Sequence, residues 1–229
     1  MKAVVLSSGG TDSSTCLGLA VEKYSPKNVA AISIFYGQRH ERELASAKKI
    51  AEYYGVSHYE FNASALFQKA DSALLKHSAR KPEHSSYSKQ SSAEKKIATY
   101  VPFRNGLMLS MAASFADGFY DGNEPIELYI GVHADDAAIH AYPDCSDEFI
   151  AAIDHSIAIG TYNRVRVVAP FVNLNKAQVV SIGMKLRVPY ELTWSCYDDG
   201  EVPCGKCATC LDRAAAFAAN NVSDPALKQ

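Results

Sequence analysis

Lys2-Ala3-Val4-Val5-Leu6-Ser7-Ser8-Gly9-Gly10-Thr11-Asp12-Ser13-Ser14 is the stretch that decides the architecture. The apolar run to Leu6 reads as a short strand, and Ser7 to Gly10 as a tight loop. From Ser13 to about Tyr24, Leu17, Leu19, Ala20 and Tyr24 recur at near-helical spacing, and Pro26 marks a stop. In a parallel α/β sheet, the turn from first strand to first helix is an anion site. The helix N-terminus there offers free N–H groups and the positive end of its dipole. Glycines let the backbone approach the anion, and hydroxyls add donors. No Gly-Lys-Ser/Thr follows, so this is not a Walker A loop, and the Gly-x-Gly-x-x-Gly fingerprint is missing too. A plain Ser/Gly turn capping a helix is the alternative. The density of Ser, Gly and Asp at this place favours phosphate.

Outward from this loop, the apolar run Val29 to Phe35 reads as a strand, Glu41 to Tyr54 as a helix closed by Gly55, and His58 to Phe61 as a weaker strand. That βαβαβ alternation predicts a Rossmann-like, doubly wound parallel sheet with helices on both faces. A helix over Arg104 to Phe119, a strand over Glu127 to Val132, a helix from Asp147 to about Ile159, a strand over Val165 to Ala169 and a helix from Lys176 to about Leu186 complete the core. Between Lys76 and Lys96 the pattern lapses into a Ser- and Lys-rich loop with six basic and two acidic residues. It reads as a solvated surface loop or as a flap over an anionic ligand. The expected division is an α/β domain over 1–190 that carries the anion loop and a C-terminal segment over 191–229 packed on it.

Composition excludes several function classes. With 229 residues, 48% of them hydrophobic and 21% charged, the chain is globular and long enough for a sizeable core. A formal net charge of -2 argues against nonspecific wrapping of nucleic acid. No run approaches the ~20 apolar residues of a membrane span, and the apolar run at the start is too short for a secretory signal. A cytoplasmic, reducing location is expected, with no membrane or nucleic-acid partner.

Reduced thiols make the cysteine spacing informative. Cys16 and Cys145 stand alone, but Cys196-x7-Cys204-x2-Cys207-x2-Cys210 supplies four thiolates. Four is the number that closes a tetrahedral Zn²⁺ shell at ~2.3 Å per bond, leaving no open position, so such a metal is structural. An iron–sulfur cluster, a redox Cys-x-x-Cys pair and four merely packed cysteines are the alternatives. Zinc fits best.

The Ser8-Gly9-Gly10-Thr11-Asp12-Ser13 string resembles the loop of the PP-loop ATP pyrophosphatases. Those enzymes split ATP between its α- and β-phosphates to activate a substrate as its adenylate. Within that superfamily, Thr193-Trp194-Ser195-Cys196-Tyr197 with the cysteine run resembles the 7-cyano-7-deazaguanine synthases of the queuosine pathway. Tyr36-Gly37-Gln38-Arg39-His40, Val101-Pro102-Phe103-Arg104-Asn105, Gly131-Val132-His133-Ala134-Asp135 and Tyr142-Pro143-Asp144-Cys145 agree with it, over residues 3 to 217.

The resemblance implies an ATP-dependent ligase that joins 7-carboxy-7-deazaguanine to ammonia and forms the nitrile through an adenylated acid and an adenylated amide. It further implies Mg²⁺ with the ATP, and a homodimer. On that reading Ser7, Ser8, Gly9, Gly10, Thr11, Asp12, Ser13 and Ser14 grip the departing pyrophosphate, with Asp12 organising Mg²⁺ or phosphate. Lys176 meets the α-phosphate. Arg39 and His40 bind phosphate or carboxylate, and Arg104, a cation at a helix start, hints at an anionic ligand. Asp135, Tyr142 and Asp144 are the expected substrate contacts, because a deazaguanine ring presents N–H donors and a flat face. Cys196, Cys204, Cys207 and Cys210 are the expected metal ligands. The plainer readings are an exposed helix-start lysine, surface or structural ion pairs for the arginines, a helix cap for Asp144 and a core tyrosine. Cys145 reads as a packed cysteine, and His133, His140 and His155 as hydrogen-bonding residues. Two rival functions are a PP-loop tRNA-modifying enzyme and a zinc-knuckle module that merely senses nucleotide.

Overall fold

The computed structural model describes residues 2–39, 41–82, 97–137, 142–198 and 200–228. Five parallel strands, β1 (Lys2–Leu6), β2 (Val29–Phe35), β3 (Ser57–Asn62), β4 (Ile126–Tyr129) and β5 (Val165–Val168), form one sheet in the order β3-β2-β1-β4-β5. The order reverses direction beside β1, so the mouth of the sheet opens where β1 and β4 diverge.

Alternation along β1 sorts the core into two layers. Val4 joins Ile32, Ile126 and Leu128 against helices α3 (Arg104–Phe119) and α4 (Asp147–Gly160), through Leu109, Ala112, Ile150 and Ile157. Ala3 and Val5 face the other way, onto α1 (Thr11–Tyr24), α2 (Arg42–Tyr54) and α5 (Lys176–Lys185), where Leu17, Ile50 and Val179 are fully buried. The expected doubly wound sheet is therefore present, with element ends shifted by a residue or a few.

Two differences matter for the site. The strand expected to reach Val132 ends at Tyr129, with the Ile130 N–H donating one last bond to the Val168 carbonyl at 3.0 Å. Residues 130–133 instead run along the mouth of the sheet, where Gly131 packs so tightly that a Cβ would lie 2.9 Å from the Asp12 carbonyl carbon. The second difference is a helix, α6 (Ala208–Ala219), that the sequence reading leaves unassigned. It buries Cys210, Arg213, Ala216 and Phe217 and packs on Val180 of α5 and on Val188 and Tyr190 just beyond it.

The C-terminal segment is tied to the glycine loop by hydrogen bonds. Trp194 N–H donates to the Gly9 carbonyl at 2.9 Å. Arg213, on α6, donates to Thr193 Oγ1 at 2.6 Å and Thr11 Oγ1 at 3.3 Å, and to the Asp224 carboxylate at 2.7 and 2.8 Å. No helix among the described residues is long and apolar enough to cross a membrane.

Candidate active site and metal centre

A cleft of about 610 Å³ opens at the C-terminal edge of the sheet. The glycine loop forms one wall. Gly9 adopts φ +81, and a Cβ there would meet the Glu43 carbonyl oxygen at 2.2 Å, so glycine is required for the loop to lie against the start of α2. Ser8 and Ser13 hydroxyls lie 3.0 Å apart, and Ser8 N–H donates to Ser13 Oγ, which fixes the curl of the loop. Ser7, Ser8, Gly10, Asp12 and Ser13 line the cleft. Gly9, Thr11 and Ser14 do not: Thr11 turns toward Ser195 and Arg213, and Ser14 donates to the Gly10 carbonyl. These three build the loop rather than its lining.

Lys176 reaches the loop from α5. Asn175 caps that helix in a reciprocal capping box with Gln178, which sets Lys176 as the first helical residue. Its Nζ makes a close ion pair with Asp12 Oδ2. A cation at a helix start opposes the dipole, and Asp135 answers by accepting the Lys176 backbone N–H at 2.8 Å. His133 lies 3.5 Å from Asp136 and 3.8 Å from Asp12. Burial raises the Asp12 carboxyl, but Lys176 and His133 more than offset it and hold the group below the usual carboxylate range. Asp136 and Asp212 go the other way, pushed up mainly by burial.

Two buried polar atoms on the glycine loop, Ser7 Oγ and Asp12 Oδ1, have no hydrogen-bond partner among the described residues, and neither has His133 Nδ1. Unpaired buried polar atoms are costly and rare, so their concentration at the cleft marks a ligand position.

The opposite wall carries a different chemistry. Arg104, the first residue of α3, lies over the Tyr36 ring at 5.3 Å and donates to its hydroxyl at 3.3 Å. Asn105 beside it donates to the Cys145 sulfur at 3.2 Å, and burial raises the Cys145 thiol well above its ordinary range, so it is a packed, protonated cysteine. Tyr142 lines the cleft with its hydroxyl 2.7 Å from Thr99. Glu43 also lines it, and burial pushes its carboxyl up to about 7.

Several expected contacts fall elsewhere. Arg39 points away from the cleft: its guanidinium donates to the carbonyls of Ala73, Ser78 and Arg80, pinning the start of the loop over 76–96. Asp144 is buried behind the wall, where its carboxylate accepts the Asn105 N–H at 2.9 Å and anchors the start of α3. Asp135 borders the cleft, but its Oδ2 caps α5. His40, His140 and the stretch 83–96 lie outside the described residues. His133, Asp136, Asp212 and Glu43 are cleft residues that sequence reasoning did not select; only the adjacency of His133 to Asp135 hinted at one of them.

Below the loop, the sulfurs of Cys196, Cys204, Cys207 and Cys210 all lie within 4.8 Å of one another. A tetrahedral ion with ~2.3 Å bonds needs its sulfurs about 3.8 Å apart, so the set fits a single metal ion. Backbone N–H groups of Asp198 and Cys204 donate to the Cys196 sulfur at 3.3 and 3.2 Å, and those of Lys206 and Cys207 donate to the Cys204 sulfur at 3.4 and 3.3 Å. Sulfurs that accept several N–H bonds are suited to carrying negative charge.

The family profile described as "Queuosine biosynthesis protein QueC" matches residues 2–221. The chain belongs to the QueC family. Family members include the 7-cyano-7-deazaguanine synthase of Archaeoglobus fulgidus, 41% identical over 99% of this chain and 90% of that protein. Those of Caldicellulosiruptor saccharolyticus and Oceanobacillus iheyensis are each 42% identical over 98% of this chain, and over 94% and 96% of those proteins. As a QueC member it is an ATP-dependent enzyme with a role in the queuosine pathway. A solved structure titled "U34-tRNA thiolase NcsA from Methanococcus maripaludis with its [4Fe-4S] cluster" superposes with a TM-score of 0.51 at 16% identity. It covers 86% of this chain and 61% of that one, a likeness of fold.

Proposed function

We propose that this QueC-family chain converts 7-carboxy-7-deazaguanine and ammonia into 7-cyano-7-deazaguanine, consuming ATP and releasing AMP and pyrophosphate. The observation that carries this reading is the pairing of Lys176 with Asp12 on a glycine loop whose Ser7 Oγ and Asp12 Oδ1 lack hydrogen-bond partners among the described residues. A carboxylate is a poor electrophile and must first gain a leaving group. Its oxygen attacks the α-phosphorus of ATP, the bond to pyrophosphate breaks, and Ser7, Ser8, Gly10 and Ser13 hold the departing anion. Lys176 stabilises charge developing at the α-phosphate, as a fixed cation does in a low-dielectric cleft. Arg104 faces the substrate's carboxylate side, and Tyr142 stacks on the ring.

Ammonia then attacks the acyl carbon, and the carbon–oxygen bond to AMP breaks. The amide oxygen repeats the attack on a second ATP, and loss of AMP with a proton leaves the nitrile. The chain's part is positioning and charge stabilisation throughout.

Asp12 through its free Oδ1, with Asp136, suits Mg²⁺, a hard cation that takes oxygen ligands. The four cysteines suit structural Zn²⁺. A four-iron cluster would hold cysteine sulfurs farther apart than 4.8 Å. We take residues 1–190 as the ATP-binding domain and 191–229 as a metal-binding segment docked on it, in a cytoplasmic homodimer. The test is sustained pyrophosphate release: the acid alone must support adenylation, turnover beyond the first equivalent must require ammonia as well, and release indifferent to the acid refutes the reading.

A further inference from the structure

The carboxylates expected to recognise the substrate ring are otherwise employed. Asp144 is committed to the Asn105 N–H behind the cleft wall, and Asp135 to the Lys176 N–H. A guanine-like ring nevertheless presents two donors on one edge, a ring N–H and an exocyclic amine, and a carboxylate is the side chain that accepts both at once.

The acidic side chains of the cleft differ in what they face. Asp12 is paired with Lys176, Asp136 faces His133, and Asp212 lies in the electrostatic field of Lys176 and Asp135, all at the phosphate end. Glu43 alone stands at the other end, with Arg104 and Tyr36. It makes no hydrogen bond or ion pair among the described residues. Tyr142, Cys145 and Tyr36 surround Arg104 there, giving a lobe with flat, mostly apolar walls of the kind that encloses a heterocycle.

A bare carboxylate in a cleft that takes a triphosphate and an anionic acid repels both ligands. It is therefore useful only against something that carries N–H donors. Its position is fixed from behind, because the backbone of Glu43 is the surface on which Gly9 rests.

We propose that Glu43 is the specificity residue for the substrate ring, accepting the ring N–H and the exocyclic amine that distinguish a guanine-type base from its analogue without the amine. This rests on the reaction proposed above, and extends it to a residue outside the expected substrate contacts. Desolvation outweighs the nearby Arg104 and keeps the free carboxyl half protonated near neutrality, and two donors from the ligand would restore its charge on binding.

The test compares kcat/KM for pyrophosphate release with 7-carboxy-7-deazaguanine and with the same acid lacking the 2-amino group. The unaltered enzyme should prefer the aminated acid by about 10- to 100-fold, the range of one hydrogen bond to a charged acceptor. In Glu43→Gln, the preference should fall to within about threefold, chiefly through KM, while Asp212→Asn keeps the full preference whatever its rate. Glu43→Gln keeps the shape of the side chain and removes a charge that its surroundings disfavour, so it should fold at least as stably as the parent; Glu43→Met is the second variant, with the same expected loss of preference. An unchanged preference in both variants overturns the assignment, as does an enzyme that shows no preference at all. Failure of the unaltered enzyme to release pyrophosphate with the aminated acid would sink the reaction itself, a result distinct from either.

Discussion

Asp224→Asn should destabilise the protein far more than a surface change, because Asp224 holds the charge of Arg213 in the interior. The two side chains are 4% and 5% exposed. Arg213 Nε donates to Oδ2 at 2.7 Å and Nη2 to Oδ1 at 2.8 Å, and Ala226 N–H donates to Oδ1 at 3.0 Å. Asparagine keeps one acceptor and turns an amide donor toward a guanidinium that has only donors. The substitution leaves an uncompensated buried cation, which costs about 3–5 kcal/mol. For a chain of this length each kcal/mol lowers Tm by roughly 2–4 °C, so a fall of roughly 6–20 °C is expected.

Thermal unfolding followed by circular dichroism, with metal content measured alongside, reads this directly. The same variant should raise the KM for ATP by about tenfold or more in the folded protein, because Arg213 also contacts Thr11 and the adjoining Trp194 N–H holds the Gly9 carbonyl. Replacing both partners, as Arg213→Met with Asp224→Leu, should recover part of the stability, since no lone charge remains. A loss below about 1 kcal/mol, the value of an exposed pair, would refute the reasoning.

Three further outcomes follow from the same geometry. Asp12→Ala should retain fold and bound metal but lose about 10²–10³-fold in the rate of adenylation, measured by acid-dependent exchange of labelled pyrophosphate into ATP; exchange at the parent rate removes Asp12 from the mechanism. Glu43 has its folded carboxyl raised from 4.5 to about 7, so ionisation is resisted in the folded state and this group's contribution to stability declines as pH rises through that window. Tm measured between pH 4.5 and 7.5 should show that decline in the parent and a flatter profile in Glu43→Gln. Cys207→Ser should abolish stoichiometric metal binding by elemental analysis and expose 198–207 to protease. Full metal content in that variant would mean the four sulfurs are not one site.

What the sequence revealed and what it hid divide along physical lines. The β1–loop–α1 unit was legible because a short apolar run, two glycines and a helix start are local signals, and the same holds for four cysteines spaced for one ion. Arg104 was legible as a cation at a helix start, whereas Lys176 was expected only from the family resemblance. Arg39 and Asp144 were placed on the correct edge of the sheet but not in the cleft, because position along the chain does not fix side-chain direction. Both were claimed by backbone groups needing partners, the carbonyls over 73–80 and the Asn105 N–H. His133, Asp136, Asp212 and Glu43 converge from three separate segments, and only folding brings them together. Helix α6 went unread because its first turn carries Cys210, and a metal-ligand pattern concealed the Ala-rich helical run behind it.

The central claim is ATP-driven carbon–nitrogen bond formation on a deazaguanine acid, and mass analysis of the product made with ¹⁵N-labelled ammonia tests it most directly. The account predicts a nitrile carrying one labelled nitrogen, formed only with ATP present and accompanied by AMP and pyrophosphate. A product without the label, or ATP cleaved to ADP and phosphate, would contradict it.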